Sequence, residues 1–417
     1  MISLSDEQKS ALRGIMSRAV ESQTVPALFC GVTDQNGEIF MHQEGRKVVD
    51  DPTSAPLDED AIFWVCSQTK LVTSIAALQL LEQGKIQLST PVSQILPELA
   101  NPVIVTASDA GGKPTATTPA KTPITFGQLL NHTSGMVYNL DGAPYGSFPT
   151  ATNHIYSKDD DYTAFCRVSK GSFPGELLKF EPGSDWGYGF SADYVGFIVE
   201  RLSGKSLEQY FKDHIFAPLG ITSASFYLTP DLKERMLTMS VRNSEGKVTR
   251  HTNSPNEPQL MNQDPEKTNM HFGGVGLFSS LKDYLALLRH LLQTQAGTAV
   301  NPILKDASVA ALFEPTLNTS GASSLANMFH QPEGSVQFSN GLMVSTVDVP
   351  GRRKKGSGGW GGWACTSYVI DPATGIAAVF GTQLAPAEGF DMTYTMLWVE
   401  VEAAIYAGLE AGGPTGP

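Results

Sequence analysis

The chain has 417 residues, a formal net charge of −13, a pI near 5.1, and 41% apolar against 17% charged residues. That length supports a large core without disulfide or metal staples, and so acidic a surface repels phosphate backbones, which excludes nucleic acid as a natural partner. No apolar run of about 18 residues offers a membrane span, and Cys30, Cys66, Cys166 and Cys365 lack paired spacing, while HxH, HExxH and CxxC patterns are absent, so no metal or other cofactor is expected.

In chain order, Ser5 with Gln8 three residues on reads as a capping box, and a helix should run to about Glu21. This start lacks a signal peptide's apolar core, which suggests a soluble, cytoplasmic protein. Ala27 to Thr33 and Glu38 to His42 read as strands joined at Asn36-Gly37, a pair that tolerates positive φ. Ala61 to Cys66 is a short apolar run, followed by Ser67-Gln68-Thr69-Lys70 and a buried helix from Leu71 to Gln83 that Gly84 ends. The middle of the chain carries Pro/Gly/Thr-rich loops, Thr106 to Pro123 and Asn139 to Thr152, between helical pieces such as Ala192 to Leu202 and Leu207 to Ile215. Strands return at Ala364 to Ile370 and Ile376 to Leu384, and Phe390 to Leu409 closes as a helix. The pattern predicts an α+β fold, an antiparallel sheet flanked by helices, with an inserted, mostly helical domain. The expected division is residues 1–90, an insert over 91–218, and 219–417.

A serine three residues before a lysine on one helix places a hydroxyl beside an amine one turn away. If burial lowers the amine's proton affinity, it can act as the base for a nucleophilic serine. The pattern occurs at Ser67/Lys70, Ser244/Lys247 and Ser279/Lys282. The second lies in a polar turn, and the third looks like a helix start where serine is a cap. Ser67 alone sits between an apolar run and a buried helix, where an oxyanion would gain from the helix dipole. A simple N-cap is the other reading of Ser67, and local pattern leaves both open. Tyr188, flanked by Gly187 and Gly189, is a candidate partner in proton transfer, or an ordinary packed tyrosine. Gly358 to Trp363 leads into a strand, so the GxGxxG match over residues 356–361 is not a dinucleotide loop. It reads as a strand whose backbone comes close to a ligand, or as an exposed glycine turn. His132 in Leu129 to Gly135 reads as a loop-holding residue rather than a base.

Taken in order, Ser67-Gln68-Thr69-Lys70, the Leu129 to Gly135 segment, Tyr188 and Trp360-Gly361-Gly362 resemble the serine β-lactamase-like esterases and transesterases. That group holds class C β-lactamases and family VIII carboxylesterases. Pro182 to Ile221 and Arg352 to Ser357 are most similar to its fungal acyltransferases of statin biosynthesis. The resemblance implies a serine β-lactamase-like fold, Ser67 as the acylated nucleophile, Lys70 and Tyr188 sharing its proton, and the N–H groups of Ser67 and Trp363 as an oxyanion hole. The chain departs from the β-lactamases at Phe190, where they carry Asn, and at Trp360-Gly361-Gly362, where they carry Lys-Thr-Gly. Both changes make the cleft more apolar and favour neutral, greasy esters.

The resemblance therefore implies a serine acyltransferase acting through an acyl-Ser67 intermediate. It would move an acyl group from a thioester or ester donor to a hydroxyl of a secondary metabolite such as a polyketide. The alternatives are a carboxylesterase of small apolar esters and a non-catalytic scaffold. Trp360, Gly361, Gly362, Phe190 and Tyr145 are the expected substrate contacts, and aromatics between Tyr138 and Phe180 should shape the acceptor pocket. Arg352-Arg353-Lys354-Lys355, a basic cluster on an acidic chain, reads either as a dock for an acidic acyl carrier domain or as a solvated turn. The implied partners are thus an acyl donor, with a carrier domain as one form of it, and a small-molecule alcohol, with no nucleic acid and no membrane.

Overall fold

The computed structural model describes residues 2–140, 142, 149–243, 245–253, 257, 260–261, 264–386 and 389–411. Its centre is a seven-stranded antiparallel sheet. In chain order the strands are β1 (Ala27–Asp34), β2 (Glu38–Gly45), β3 (Val336–Phe338), β4 (Met343–Ser345), β5 (Gly358–Gly362), β6 (Thr366–Asp371) and β7 (Ile376–Gly381). Their spatial order is β3-β4-β5-β6-β7-β1-β2. The N-terminal hairpin therefore docks on the last strand, with Phe29 opposite Gly381. Five helices matter most here: α1 (Asp6–Glu21), α2 (Thr69–Glu82), α3 (Ser191–Ser203), α4 (Leu281–Gln295) and α5 (Met392–Ala411).

Strand alternation divides the core into two layers. Leu28, Cys30 and Val32 of β1, with Ile376 and Phe380 of β7, face α1 and α5. Phe29, Ala377 and Val379 face the other way, into a larger core that includes α2, α3 and α4. Helix α2 is apolar nearly all round, and Leu71 to Leu80 are buried throughout. Each fully buried Leu or Ile there contributes roughly 1.5–3 kcal/mol, which offsets the cost of carrying Lys70 and Thr73 inside. The four cysteines are buried and unpaired.

The Ser5 capping box forms as the sequence suggests. The β1–β2 hairpin also forms, but neither Asn36 nor Gly37 takes a positive φ. The Asp34 carboxylate closes the turn instead, accepting from Asn36 N at 2.7 Å and Gly37 N at 2.9 Å. The expected loop over Thr106 to Pro123 is in large part a strand pair. Val103–Ser108 runs antiparallel to Pro114–Pro119 and parallel to Leu177–Leu178. The β-branched residues decide this, and the prolines stand at the strand ends where a missing N–H costs little.

The basic cluster fits neither of its two sequence readings as a whole. Arg353 Nε and Nη2 grip Glu402 at 2.6 and 2.7 Å, and Arg352 Nη1 reaches the same carboxylate at 3.2 Å. Glu402 lies on α5 and is fully buried, so these two arginines clamp α5 to the β4–β5 connection. Lys354 and Lys355 remain exposed. Removing one partner of a buried pair leaves an uncompensated charge, so Arg353→Ala should lower unfolding free energy by about 3–5 kcal/mol. Urea unfolding measures this, and a loss below about 1 kcal/mol, the level of a surface pair, would show that the clamp is not structural.

Candidate active site

The strand Ile62–Trp64 pairs with Phe278–Ser280 and delivers the chain to Ser67. Cys66 then takes a φ of +46°, a left-handed conformation unusual for a non-glycine residue. Such strain costs on the order of 1–3 kcal/mol and must be held by its surroundings. Thr69 holds it: its Oγ1 donates to Cys66 O at 2.6 Å and accepts from Leu277 N at 3.0 Å. A 3₁₀ turn over Cys66–Gln68 leads into α2. Burial pushes the Cys66 thiol far above its ordinary range, so it stays protonated.

The residue capping α2 makes no side-chain capping bond. Ser67, 7% exposed as a residue, instead turns its hydroxyl to Lys70, whose Nζ lies 3.1 Å from Ser67 Oγ. Lys70 is 4% exposed, and its Nζ also reaches Gly274 O at 2.8 Å and Tyr138 OH at 3.4 Å. These contacts account for all three ammonium hydrogens. The Gly274 carbonyl can only accept, so it always takes one N–H. In the neutral amine the lone pair must then point toward one of the two hydroxyls, Ser67 or Tyr138. Burial raises the Tyr138 phenol well above its usual range, and the charge of nearby Asp193 and then Tyr188 add to this. Tyr138 therefore keeps its proton, and its hydroxyl oxygen accepts from the Lys70 ammonium.

Tyr188 presents its ring face to Lys70, with Nζ 4.6 Å from the ring centroid. Its hydroxyl accepts a hydrogen bond from Trp360 Nε1 at 3.0 Å. The glycines beside Tyr188 permit close backbone approach. A Cβ on Gly187 would collide with Val137, and one on Gly189 with the Met136 carbonyl. Tyr138 N donates to Tyr188 O at 3.0 Å, so the two tyrosines are joined through the backbone as well. His132 holds this segment by accepting from Gly187 N at 3.0 Å, and its ring sits against Tyr188 and Phe338. Burial, with Lys70 adding to it, drives the His132 imidazole down to about 3, so it is neutral.

Strand β5 comes up against the serine turn. A Cβ on Gly362 would collide with the Val65 carbonyl, and one on Gly361 would stand 2.9 Å from Thr366 O. Gly362 thus serves the approach of β5 to the chain just before Ser67, and Gly361 the approach of β5 to β6. Trp363 follows at the end of β5, its ring 6.0 Å from that of Trp64. Trp360 is half-buried and continues into an aromatic surface, 5.2 Å from Phe329, which is 6.1 Å from the exposed Phe390.

Other sequence-selected residues are placed differently. Phe190 is 8% exposed and packs against Tyr138 and Phe165, so it backs Tyr138 rather than opening to a ligand. Tyr156 and Phe165 are likewise core residues. Tyr145 and Ser244 lie outside the described residues. Lys282 pairs with Glu59 at 2.6 Å at the surface, and the helix cap there is Ser280 rather than Ser279. Three residues of the Lys70 environment were not singled out from sequence: Tyr138 as a hydrogen-bond partner, Gly274, and the fully buried Asp193, whose Oδ1 accepts from Gly274 N at 2.9 Å. A signal existed for Asp193, since a charged residue amid the apolar run of a buried helix seldom lacks a partner.

The chain is similar over most of its length to several known proteins. "Acyltransferase calJ" of Penicillium decumbens is 32% identical over 80% of this chain and 78% of its own length. "Lovastatin esterase" of Penicillium rubens is 28% identical over 87% and 90%. Among solved structures, a mutant of simvastatin synthase from Aspergillus terreus superposes with a TM-score of 0.79 and 28% identity, covering 98% of this chain and 96% of that one. The model of the family described as Beta-lactamase matches residues 12–401, nearly the whole described sheet and its helices, and the chain belongs to that family.

Proposed function

We propose that this protein is a serine acyltransferase that moves an acyl group from an ester or thioester donor to a hydroxyl of an apolar secondary metabolite. The observation that carries the reading is the buried Lys70 amine 3.1 Å from Ser67 Oγ, inside a family that contains acyltransferases. Ser67 Oγ attacks the donor carbonyl while its proton passes to Lys70. The N–H groups of Ser67 and Trp363 receive the oxyanion, an arrangement supported by the close approach of β5 to the serine turn. The Lys70–Tyr188 pair returns a proton to the leaving thiol or alcohol, which departs as acyl-Ser67 forms. An acceptor alcohol then repeats the sequence in reverse and frees the Ser67 hydroxyl.

Trp360 has a defined part in this scheme. Its indole N–H is a donor only and occupies an acceptor site of the Tyr188 oxygen. Negative charge that develops on that oxygen is thereby stabilised by a neutral donor in addition to the Lys70 amine over the ring. The aromatic surface from Trp360 through Phe329 to Phe390 supports a greasy acyl or acceptor group. Hydrolysis is the second reading, and the relative named lovastatin esterase is the observation that favours it. No helix among the described residues is long and apolar enough to cross a membrane, and the buried, unpaired cysteines suit a cytoplasmic site of action. An acyl carrier domain is one form the donor would take, and within the basic cluster Lys354 and Lys355 are exposed to meet it.

Intact-mass analysis after addition of a p-nitrophenyl ester or short acyl thioester should show one acyl group per chain, absent in Ser67→Ala. Partition of that adduct between water and added alcohols should favour the alcohols, and release to water alone would make the protein an esterase. Trp360→Phe keeps an aromatic ring but loses the indole N–H. A hydrogen bond to a charged group contributes about 1.5–3 kcal/mol, so kcat should fall roughly 10–100-fold with KM little changed. An unaltered kcat would remove Trp360 from the chemistry. Changing Lys354 and Lys355 to Glu should raise the apparent KM for a carrier-bound donor about tenfold, as loss of rim charges does, and leave a small thioester unaffected. Equal effects on both donors would exclude docking there.

A further inference from the structure

We propose that Asp193 is a positioning residue that aims the Lys70 amine through Gly274. The proposal rests on the acyl-Ser67 chemistry above and adds the group that sets the direction of its base. Asp193 stands in the first turn of α3 and is fully buried, among Ala192, Val195 and Phe197. Its Oδ1 accepts from Gly274 N at 2.9 Å, and the carbonyl of the same glycine accepts from Lys70 Nζ at 2.8 Å. Oδ2 has no hydrogen-bond partner among the described residues. A buried carboxylate with half its acceptors unmet destabilises a fold. Burial lifts the Asp193 carboxyl to about 6, and Lys70, the Gly274 N–H and the residue's own backbone N–H oppose the rise. The residue is thus coupled to the amine it helps to place.

The contact is close enough to dictate both residues. A Cβ on Gly274 would stand 2.8 and 2.9 Å from the two Asp193 oxygens, so only glycine lets the carboxylate reach the backbone there. The same short segment is tied at further points. Thr73 Oγ1 on α2 donates to Gly273 O at 2.7 Å. Glu200, seven residues after Asp193 and so on the same face of α3, has its Oε1 3.0 Å from His271 Nδ1, and His271 Nε2 lies 2.9 Å from Tyr227 OH. Residues 271–274 are therefore fastened to α3 at both ends. Among these bonds, the one to Asp193 is made by the glycine whose carbonyl meets Lys70. Because that carbonyl only accepts, it claims one N–H in either protonation state and fixes rotation about the Cε–Nζ bond. The lone pair of the neutral amine is then left facing the hydroxyls of Ser67 and Tyr138. If Gly274 loses its anchor, the amine can turn, and the proton transfer from Ser67 loses its alignment while substrate contacts are untouched.

The test is acylation by a p-nitrophenyl ester, with burst amplitude counting competent sites so that rates refer to folded protein. Asp193→Ala should acylate about 100-fold more slowly per site, the scale of a misaligned reacting group, with KM within about threefold of wild type. Asp193→Asn keeps an acceptor for the Gly274 N–H and should recover to within about tenfold of wild type. Gly274→Ala, which drives the peptide off the carboxylate while Asp193 remains, should be slow in the same way. A wild-type rate per site in Asp193→Ala overturns the proposal, as does Asp193→Asn as slow as Asp193→Ala. If Asp193→Ala does not fold, Asp193→Asn against Gly274→Ala decides. A fast asparagine variant with a slow alanine variant supports the proposal, and equal rates overturn it. Absence of any acyl-Ser67 in the wild type overturns the acyltransfer reading and this proposal together, whereas wild-type acylation that Asp193→Ala leaves unchanged overturns this one alone.

Discussion

A lysine amine set inside an apolar helix is the constraint around which this molecule is arranged. Helix α2 owes its stability to Leu71, Val72, Ile75 and their neighbours, all removed from water. Lys70 is removed with them. An amine without solvent must find its dipoles in the protein, or several kcal/mol are lost. They come from separate parts of the chain: Ser67 one turn back, the Tyr138 hydroxyl, the Gly274 carbonyl, and the face of Tyr188. None of these can move away without exposing the others to the same penalty. The segment after α2, the start of α3, and the chain preceding α4 are held in mutual register by one nitrogen.

The same constraint explains the distribution of glycines near the site. Each of Gly187, Gly189, Gly274 and Gly362 stands where a second chain segment would collide with a Cβ. These four are not turn formers, since none has a positive φ. They let other segments, backbone at Gly189 and Gly362 and side chains at Gly187 and Gly274, come up against the main chain, so that hydrogen bonds such as Tyr138 N to Tyr188 O and Gly274 N to the Asp193 carboxylate can bring groups from distant segments onto Lys70. Tight backbone contact gives positional precision that flexible side chains lack, which is what a proton transfer over about 3 Å requires.

What could be read in advance follows from how local each feature is. Ser67 and Lys70 are one helical turn apart, so their pairing is written in four consecutive letters. The buried helix and its glycine stop are equally local, and so is the Ser5 cap. Tyr188 and the strand carrying Trp360 stood out by their glycines, but only the resemblance chose between their two readings, because nothing near them states what they face. Tyr138 and Gly274 meet Lys70 across 68 and 204 residues of chain, and no local period carries such a distance. The basic cluster illustrates the opposite error. Four adjacent cations invite a surface reading, but Glu402, 49 residues beyond Arg353, lies inside an apolar helix and draws two of them inward. At Val103 to Pro119 the prolines and glycines outweighed the alternating β-branched residues, which in the fold are the stronger term.

Whether water or an alcohol resolves an acyl-enzyme depends on which of them the site can seat. A water needs two to four polar partners to be held in place. Here the polar atoms near Ser67 are largely engaged: Lys70 has its three partners, the Tyr138 hydroxyl among them, and the Tyr188 hydroxyl has Trp360. An alcohol on a large apolar body brings its own means of binding. It can lie on Trp360 and Phe329 and reach the exposed Phe390, aromatic faces that suit an apolar body better than a water. Apolar contact of this kind contributes roughly 25 cal/mol per Å² covered, enough for a bulky acceptor to compete with water present at far higher concentration. In the proposed scheme Trp360, standing where the β-lactamases carry a cation, thus has two parts: it gives the tyrosine oxygen a neutral donor, and it offers an apolar face that an alcohol with a large body can use and water cannot.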